Sequence, residues 1–324
     1  MTATKPWHGV QVATALPFHD DLHVDYDSYA AHVTWLKEKG CDGVVPNGSL
    51  GEYQTLTEKE RHRVMTTAVE AIGGEHVIPG VAAYGSGEAR YWAEEAAEAG
   101  CGAVMLLPPN AYRADTRAVV AHYAEVAKAG LPIVAYNNPI DTKFDLTPGL
   151  LAKLYDEGLI VAVKEFSGDV RRAYEIAELA PGLDLLIGSD DVLLELAVAG
   201  AVGWVAGYPN ALPEASVALY KAAIAKDLDT ALPLYRALHP LLRWDSKTEF
   251  VQAIKLSMDI AGRKGGECRP PRGELTVKQE RLIRTATEKV LATVGEGTAE
   301  QSADRDTDQA DAERTGDAES RDLR

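Results

Sequence analysis

The 324-residue chain has little cysteine. Cys41, Cys101 and Cys268 form an odd set with no close pair, which excludes a disulfide framework and a CxxC metal site and fits a reducing compartment. Positive charge is scarce too: 33 Lys and Arg against 49 Asp and Glu give a formal charge of −16, so nothing supplies the positive field that generic nucleic-acid binding requires. No apolar run approaches the ~20 residues of a membrane span, and MTATKPWHGV lacks the basic start and apolar stretch of an export signal. A cytoplasmic protein is expected, with neither membrane nor nucleic acid among its partners. The eight histidines form no HxH or HExxH cluster, and no GxGxxG follows the first strand-like run, so neither a metal nor a dinucleotide cofactor is expected.

What is present is material for a large core, with 46% hydrophobic residues against 25% charged. The exception is the stretch 296–324, which carries ten acidic residues, four arginines and almost no large apolar side chain; it therefore holds −6 of the net charge and leaves −10 to the remainder. Such a segment cannot bury enough apolar surface to offset its ordering entropy and is expected to be a disordered acidic tail.

Short apolar runs alternate with amphipathic stretches before it. Eight runs read as strands, at 9–16, 43–46, 77–80, 103–107, 133–136, 160–164, 185–188 and 202–206. Helical spacing covers 25–39, 57–72, 86–99, 116–129 and 191–199, and Gly40, Gly100, Gly130 and Gly200 stand where helices end before the next strand. Eight strand–helix units are the count that closes a (β/α)8 TIM barrel. A flavodoxin-like open sheet is the rival, separable only by strand order. Beyond residue 206 the helical stretches 213–225, 229–242, 246–260 and 276–291 follow without strands. The expected organisation is a barrel over 1–210, a C-terminal helical extension over 211–295 and the acidic tail over 296–324.

Barrel chemistry sits at the carboxyl ends of the strands. Lys164 closes the run LIVAVK, where partial desolvation lowers an amine's pKa and frees it to form a Schiff base; a lysine paired with Glu165 is the plainer alternative, against which strand alternation argues. Tyr136 ends PIVAY and can relay a proton, though buried tyrosines more often satisfy a single hydrogen bond. NGSLGEY follows the second run, and its glycines let backbone N–H groups and the Ser49 hydroxyl approach a carboxylate; a plain turn before a helix capped by Thr57 and Glu60 is the alternative. GSGEAR is no phosphate loop, and Ser86 is expected to cap a helix. The trio suggests covalent amine catalysis without a cofactor.

Gly48-Ser49-Leu50-Gly51-Glu52, Tyr136-Asn137-Asn138-Pro139, Val163-Lys164-Glu165 and Gly188-Ser189-Asp190-Asp191, in this order, resemble the dihydrodipicolinate synthase / N-acetylneuraminate lyase family over roughly residues 8–295. The resemblance implies a (β/α)8 barrel with C-terminal helices, a homotetramer built as a dimer of dimers, and class I Schiff-base chemistry on a small 2-oxo acid. By position it implies that Lys164 is the Schiff-base lysine and Tyr136 the proton-relaying phenol. Ser49, with the backbone of Ser49 and Leu50, would hold the substrate carboxylate; Gly48, Asn138, Gly188 and Tyr112 would line the substrate, Tyr112 being the tyrosine otherwise supplied across a dimer.

Three residues depart from the synthase pattern. Leu50 stands where a second hydroxyl is usual, Asp141 where an arginine binds the second substrate's carboxylate, and Phe166 where a small polar residue is expected. YNNPIDTKFDLTP and VKEFSGDVRR look closer to the catabolic branch, which includes the Δ1-pyrroline-4-hydroxy-2-carboxylate deaminases. A 2-keto-3-deoxy sugar acid aldolase or dehydratase competes, with Asp141 and Lys143 meeting hydroxyls, and dihydrodipicolinate synthase ranks behind both. A non-catalytic ligand-binding regulator on the same fold is the reading from a different class.

Overall fold

Short apolar runs bounded by helical stretches bury both faces only when the strands run parallel under a coat of helices. A computed structural model describes residues 5–109 and 113–293 of the chain. Its strands are β1 (Gly9–Ala13), β2 (Gly43–Val45), β3 (Val104–Leu106), β4 (Ile133–Asn137), β5 (Ala162–Glu165), β6 (Asp184–Ile187) and β7 (Gly203–Ala206). They form one parallel sheet in the order β2-β1-β7-β6-β5-β4-β3.

The expected third run, 77–80, is not a continuous strand. It joins the two outer strands by single bridges, Val44 to Val77 and Gly80 to Met105, with Ile78 N–H donating to Val44 O at 3.0 Å and Met105 N–H to Pro79 O at 3.0 Å. Pro79 has no N–H to give, which interrupts the ladder without opening the ring. The sheet is therefore a (β/α)8 barrel, and the open-sheet alternative falls.

Around it lie α1 (Tyr26–Glu38), α2 (Glu58–Ile72), α3 (Ser86–Glu98), α4 (Thr116–Ala127), the short α5 (Pro139–Thr142), α6 (Pro148–Asp156), α7 (Arg171–Leu179) and α8 (Leu193–Val198). Local chemistry sets their ends. Thr57 and Glu60 form the expected capping box on α2, and Asp25 caps α1 through Ser28 N–H. The chain leaves α1 at Gly40 with φ 90°, a conformation that a side chain would strain. Ser86 does not cap α3: it is the first helical residue, and its hydroxyl instead meets His122 Nδ1 on α4 at 2.9 Å.

The C-terminal layer comprises α9 (Pro213–Ile224), α10 (Leu228–Leu242), α11 (Phe250–Ile260) and a helical stretch over 277–293. Among the described residues no helix is long and apolar enough to cross a membrane. The tail expected over 296–324 lies outside the described residues.

Asn210 fastens this layer to the barrel. Its amide donates to Ala13 O and Gly207 O, both at 2.7 Å, and its Oδ1 meets Ala15 N–H and His32 Nε2, both at 3.0 Å. A second tie is ionic: Lys255 on α11 donates to Glu52 Oε1 at 2.8 Å and to Glu267 O at 2.7 Å, and Arg269 N–H reaches Glu52 Oε2 at 2.8 Å. Lys255 and Glu52 side chains are 1% and 0% exposed, so removing one partner leaves a buried charge unpaired. Lys255→Met is expected to lose about 3–5 kcal/mol of stability in urea unfolding, and adding Glu52→Gln should restore part of the loss. Wild-type stability in the single variant would show that the pair does not hold the layer.

Candidate active site

The parallel register of β4 and β5 sets Tyr136 beside Lys164. Both stand at the carboxyl ends of their strands, and the Lys164 ammonium lies 4.3 Å from the centre of the Tyr136 ring and 5.7 Å from that of Phe166. The two rings meet edge to face at 6.1 Å, so the amine occupies an aromatic corner. Burial pushes the Lys164 amine below an ordinary lysine, while the carboxylates of Asp245 and Asp190 pull it part of the way back. Burial also drives the Tyr136 phenol upward, and its oxygen accepts from Asn138 Nδ2 at 3.3 Å.

Glu165 points away from the amine, as alternation requires, and accepts from Asn137 Nδ2 at 2.9 Å and Ser167 N–H at 2.6 Å. The same side of the barrel is stitched further. Arg172 forks onto Asp145 with two bonds of 2.7 Å, and Leu146 N–H donates to Asn137 Oδ1 at 2.9 Å. The residues around VKEFSGDVRR and YNNPIDTKFDLTP are thus packed as one unit.

The loop after β2 forms the opposite wall. Asn47 and Glu52 both adopt left-handed backbone, φ 57° and 53°, and their side chains are held by Arg61 O and by Lys255. A Cβ on Gly51 would lie 3.1 Å from Thr14 O, so the loop is pressed onto the end of β1. Gly48, Ser49 and Leu50 consequently line a cavity of about 340 Å³ together with Lys164, Tyr136, Asn138, Asp141 and Phe166.

Asp141 stands on α5 at the cavity, exposed, with Asn138 Nδ2 donating to its Oδ2 at 2.8 Å and its own N–H donating to Asn138 Oδ1 at 3.1 Å. Gly188 is not among the lining residues. A Cβ there would come within 2.3 Å of Glu165 O and 3.0 Å of Lys164 Cγ, so it clears space for the lysine stem. Lys143 also stays outside the cavity, its ammonium on Ile140 O. Tyr112 lies outside the described residues.

The remaining wall was not foreseen. α11 begins at Phe250 instead of residue 246, and the preceding turn delivers Asp245, Ser246, Lys247 and Thr248 to the mouth, joined by Arg272. The polar run DSKTE before an apolar helical stretch was the signal available, and it read as a helix start.

Asp245 brings charge. Burial raises its carboxyl to about 6, against the downward pull of Lys164. Beneath it Asp190 is 0% exposed and raised well above the usual range by burial and by Asp245. Asp190 accepts from Trp204 Nε1 at 2.8 Å and from the Gly207 and Tyr208 N–H groups at 3.2 and 3.3 Å. The cavity thus combines a depressed amine, a phenol, a hydroxyl beside glycine-rich backbone, and carboxylates. Among the described residues no three His, Cys, Asp or Glu side chains gather in a way that would hold a metal ion.

Known proteins share the fold. Residues 6–290 match the model of the dihydrodipicolinate synthetase family. A 4-hydroxy-tetrahydrodipicolinate synthase of Methanothrix thermoacetophila is 31% identical, over 90% of this chain and 99% of its own. The crystal structure of dihydrodipicolinate synthase from Aquifex aeolicus superposes with a TM-score of 0.83 at 27% identity, covering 88% of this chain and 98% of its own. YagE, a prophage protein of E. coli K12 in that family, solved in complex with pyruvate, superposes at 0.80 with 25% identity over 87% and 98% of the two chains. A barrel with a desolvated lysine at its mouth, matched over nearly all of its described length, belongs to the dihydrodipicolinate synthetase family of lysine Schiff-base lyases.

Proposed function

We infer that the chain uses Lys164 to form a Schiff base with a small 2-oxo acid or its cyclic imine and that, within the family, it acts as a Δ1-pyrroline-4-hydroxy-2-carboxylate deaminase. The observation that carries the first part is the convergence of Lys164, Tyr136 and the Ser49 loop on one cavity. Pyruvate in YagE supports a 2-oxo acid. In this reading the Lys164 amine adds to C2, the ring nitrogen takes up a proton as the ring opens, and the resulting iminium draws electrons from the neighbouring carbon. Tyr136 carries the proton removed there, and the hydroxyl leaves as water. A proton shift from C5 to C3 then turns the allylic amine into an imine at C5, whose hydrolysis releases ammonia, and a second hydrolysis frees the lysine; one water is lost and two are taken up, so overall one water is consumed and one ammonia leaves. Ser49 and the adjoining N–H groups hold the carboxylate.

Asp141 favours elimination over condensation with a second carboxylate-bearing substrate, because it puts a negative charge at the cavity where that carboxylate would have to bind. A 2-keto-3-deoxy sugar acid aldolase or dehydratase is the second reading, since Asp141, Thr142 and Thr248 give the cavity groups able to meet a polyol. The names of the curated relatives favour the synthase, against which Asp141, Leu50 and Phe166 weigh. The reading includes a homotetramer built as a dimer of dimers, which light scattering would test.

Borohydride added with the hydroxyproline-derived imine, pyruvate or a keto-deoxy sugar acid should leave a stable adduct on Lys164, absent in Lys164→Ala. A peptide map with no mass increase for any of these would end the Schiff-base reading; turnover releasing no ammonia from the imine would end the deaminase reading alone. Ser49→Ala should raise KM about tenfold, the worth of a hydrogen bond to a charged group, with little change in kcat. An unchanged KM would remove Ser49 from carboxylate binding.

A further inference from the structure

We propose that Asp245, carried over the barrel mouth by the turn between α10 and α11, is a positioning residue whose carboxylate is the counter-charge for Lys164 and for the iminium formed on it. The second half rests on the Schiff-base reading; the first does not.

Other carboxylates at the mouth are already engaged. Asp190 spends its oxygens on Trp204 and on the N–H groups of Gly207 and Tyr208. Asp141 receives the Asn138 amide. Among the described residues Asp245 has one long bond, from Asp190 N–H to Oδ2 at 3.4 Å, and its side chain lines the cavity. It is seated firmly all the same. A Cβ on Gly207, at the end of β7, would lie 2.7 Å from Ile254 Cδ1 and 3.2 Å from Asp245 Oδ1, so both side chains pack close to the bare glycine backbone. β5 and β7 flank β6, which sets Lys164 and this carboxylate on two sides of one cavity without direct contact.

Lys164 from β5, Tyr136 from β4, Asp190 and Asp191 after β6 and Tyr208 after β7 face Asp245 electrostatically, and Lys247 and Arg272 line the same cavity. With its carboxyl at about 6, Asp245 is anionic at neutral pH. An anion there raises the pKa of the lysine and stabilises an iminium, which stays cationic after the amine has lost its proton. Removing it should make the amine reactive at lower pH while weakening the intermediate.

The test is the pH dependence of reductive methylation of Lys164 by formaldehyde and cyanoborohydride, read by peptide mass spectrometry on the full chain. Asp245→Asn should lower the midpoint by about one pH unit, the scale of a nearby opposite charge, and Asp245→Glu should restore it. The imine-trapping rate with pyruvate should fall about tenfold in Asp245→Asn. Asp245→Ser, which also removes the charge, should move the midpoint the same way and serves if Asp245→Asn does not fold. A midpoint unmoved in a folded variant overturns the proposal. A midpoint that moves while wild-type protein traps no 2-oxo acid upholds the coupling to Lys164 and refutes the Schiff-base reading instead.

Discussion

The buried pair of Lys255 and Glu52 is the constraint from which the site follows. Glu52 ends the loop that presents Gly48, Ser49 and Leu50, and Lys255 sits on α11, whose first turn is preceded by Asp245 and Lys247. One ion pair therefore registers two walls of the cavity that are some 200 residues apart in sequence. Desolvating both charges is costly, and a well-packed apolar pair of equal volume would often be as stable. What the pair adds is direction: the charges meet in only one arrangement, and Glu267 O and Arg269 N–H use their remaining valences. A slip of α11 along its axis would strand three polar groups at once.

With the walls fixed, the third element is the amine. Lys164 is held where water is sparse, at the end of a strand paired on both sides, and a side chain at Gly188 would strike Glu165 O and crowd the lysine's Cγ. A buried ammonium would be destabilising, and the barrel answers by depressing its pKa and by placing Asp190 and Asp245 at a distance. The arrangement is a compromise. A carboxylate in direct contact would keep the lysine protonated and inert, and none at all would leave the iminium without a counter-charge.

How much of this the sequence disclosed follows from the range of the interactions. Strand ends, the Thr57 capping box and the glycine after α1 are written in contiguous residues and could be read directly. Lys164 and Tyr136 stood out for the same reason, each being the one reactive group closing an apolar run. The interruption at Pro79 was visible as a residue, yet its effect depends on which neighbours the segment bridges. Ser86 looked like a cap because caps are local, but its hydroxyl is taken by His122 from the next helix. Asp245 could not be found at all: helical periodicity runs smoothly through residues 246–260, and only the packing of α11 against the barrel decides that the turn before Phe250 stays open and faces the amine.

That division also explains how such a barrel can change its reaction without changing its fold. The amine, the phenol and the Ser49 loop lie on strand ends and on a loop clamped by a buried ion pair, where a shift would cost stability. Asp141, by contrast, lies on the four-residue α5, exposed, and among the described residues its hydrogen-bond partner is Asn138 on the same turn. Its charge can be reversed without breaking a long-range contact, so on the proposed function the group set to meet the far end of the substrate is under weak structural constraint. Leu50 and Phe166 are different: Leu50 is buried and Phe166 packs edge to face on Tyr136, so both are held by apolar contacts at the cavity. The aromatic corner is therefore bound up with the lysine's depressed pKa, whereas the charged rim of Asp141, Lys247 and Arg272 is under no such constraint.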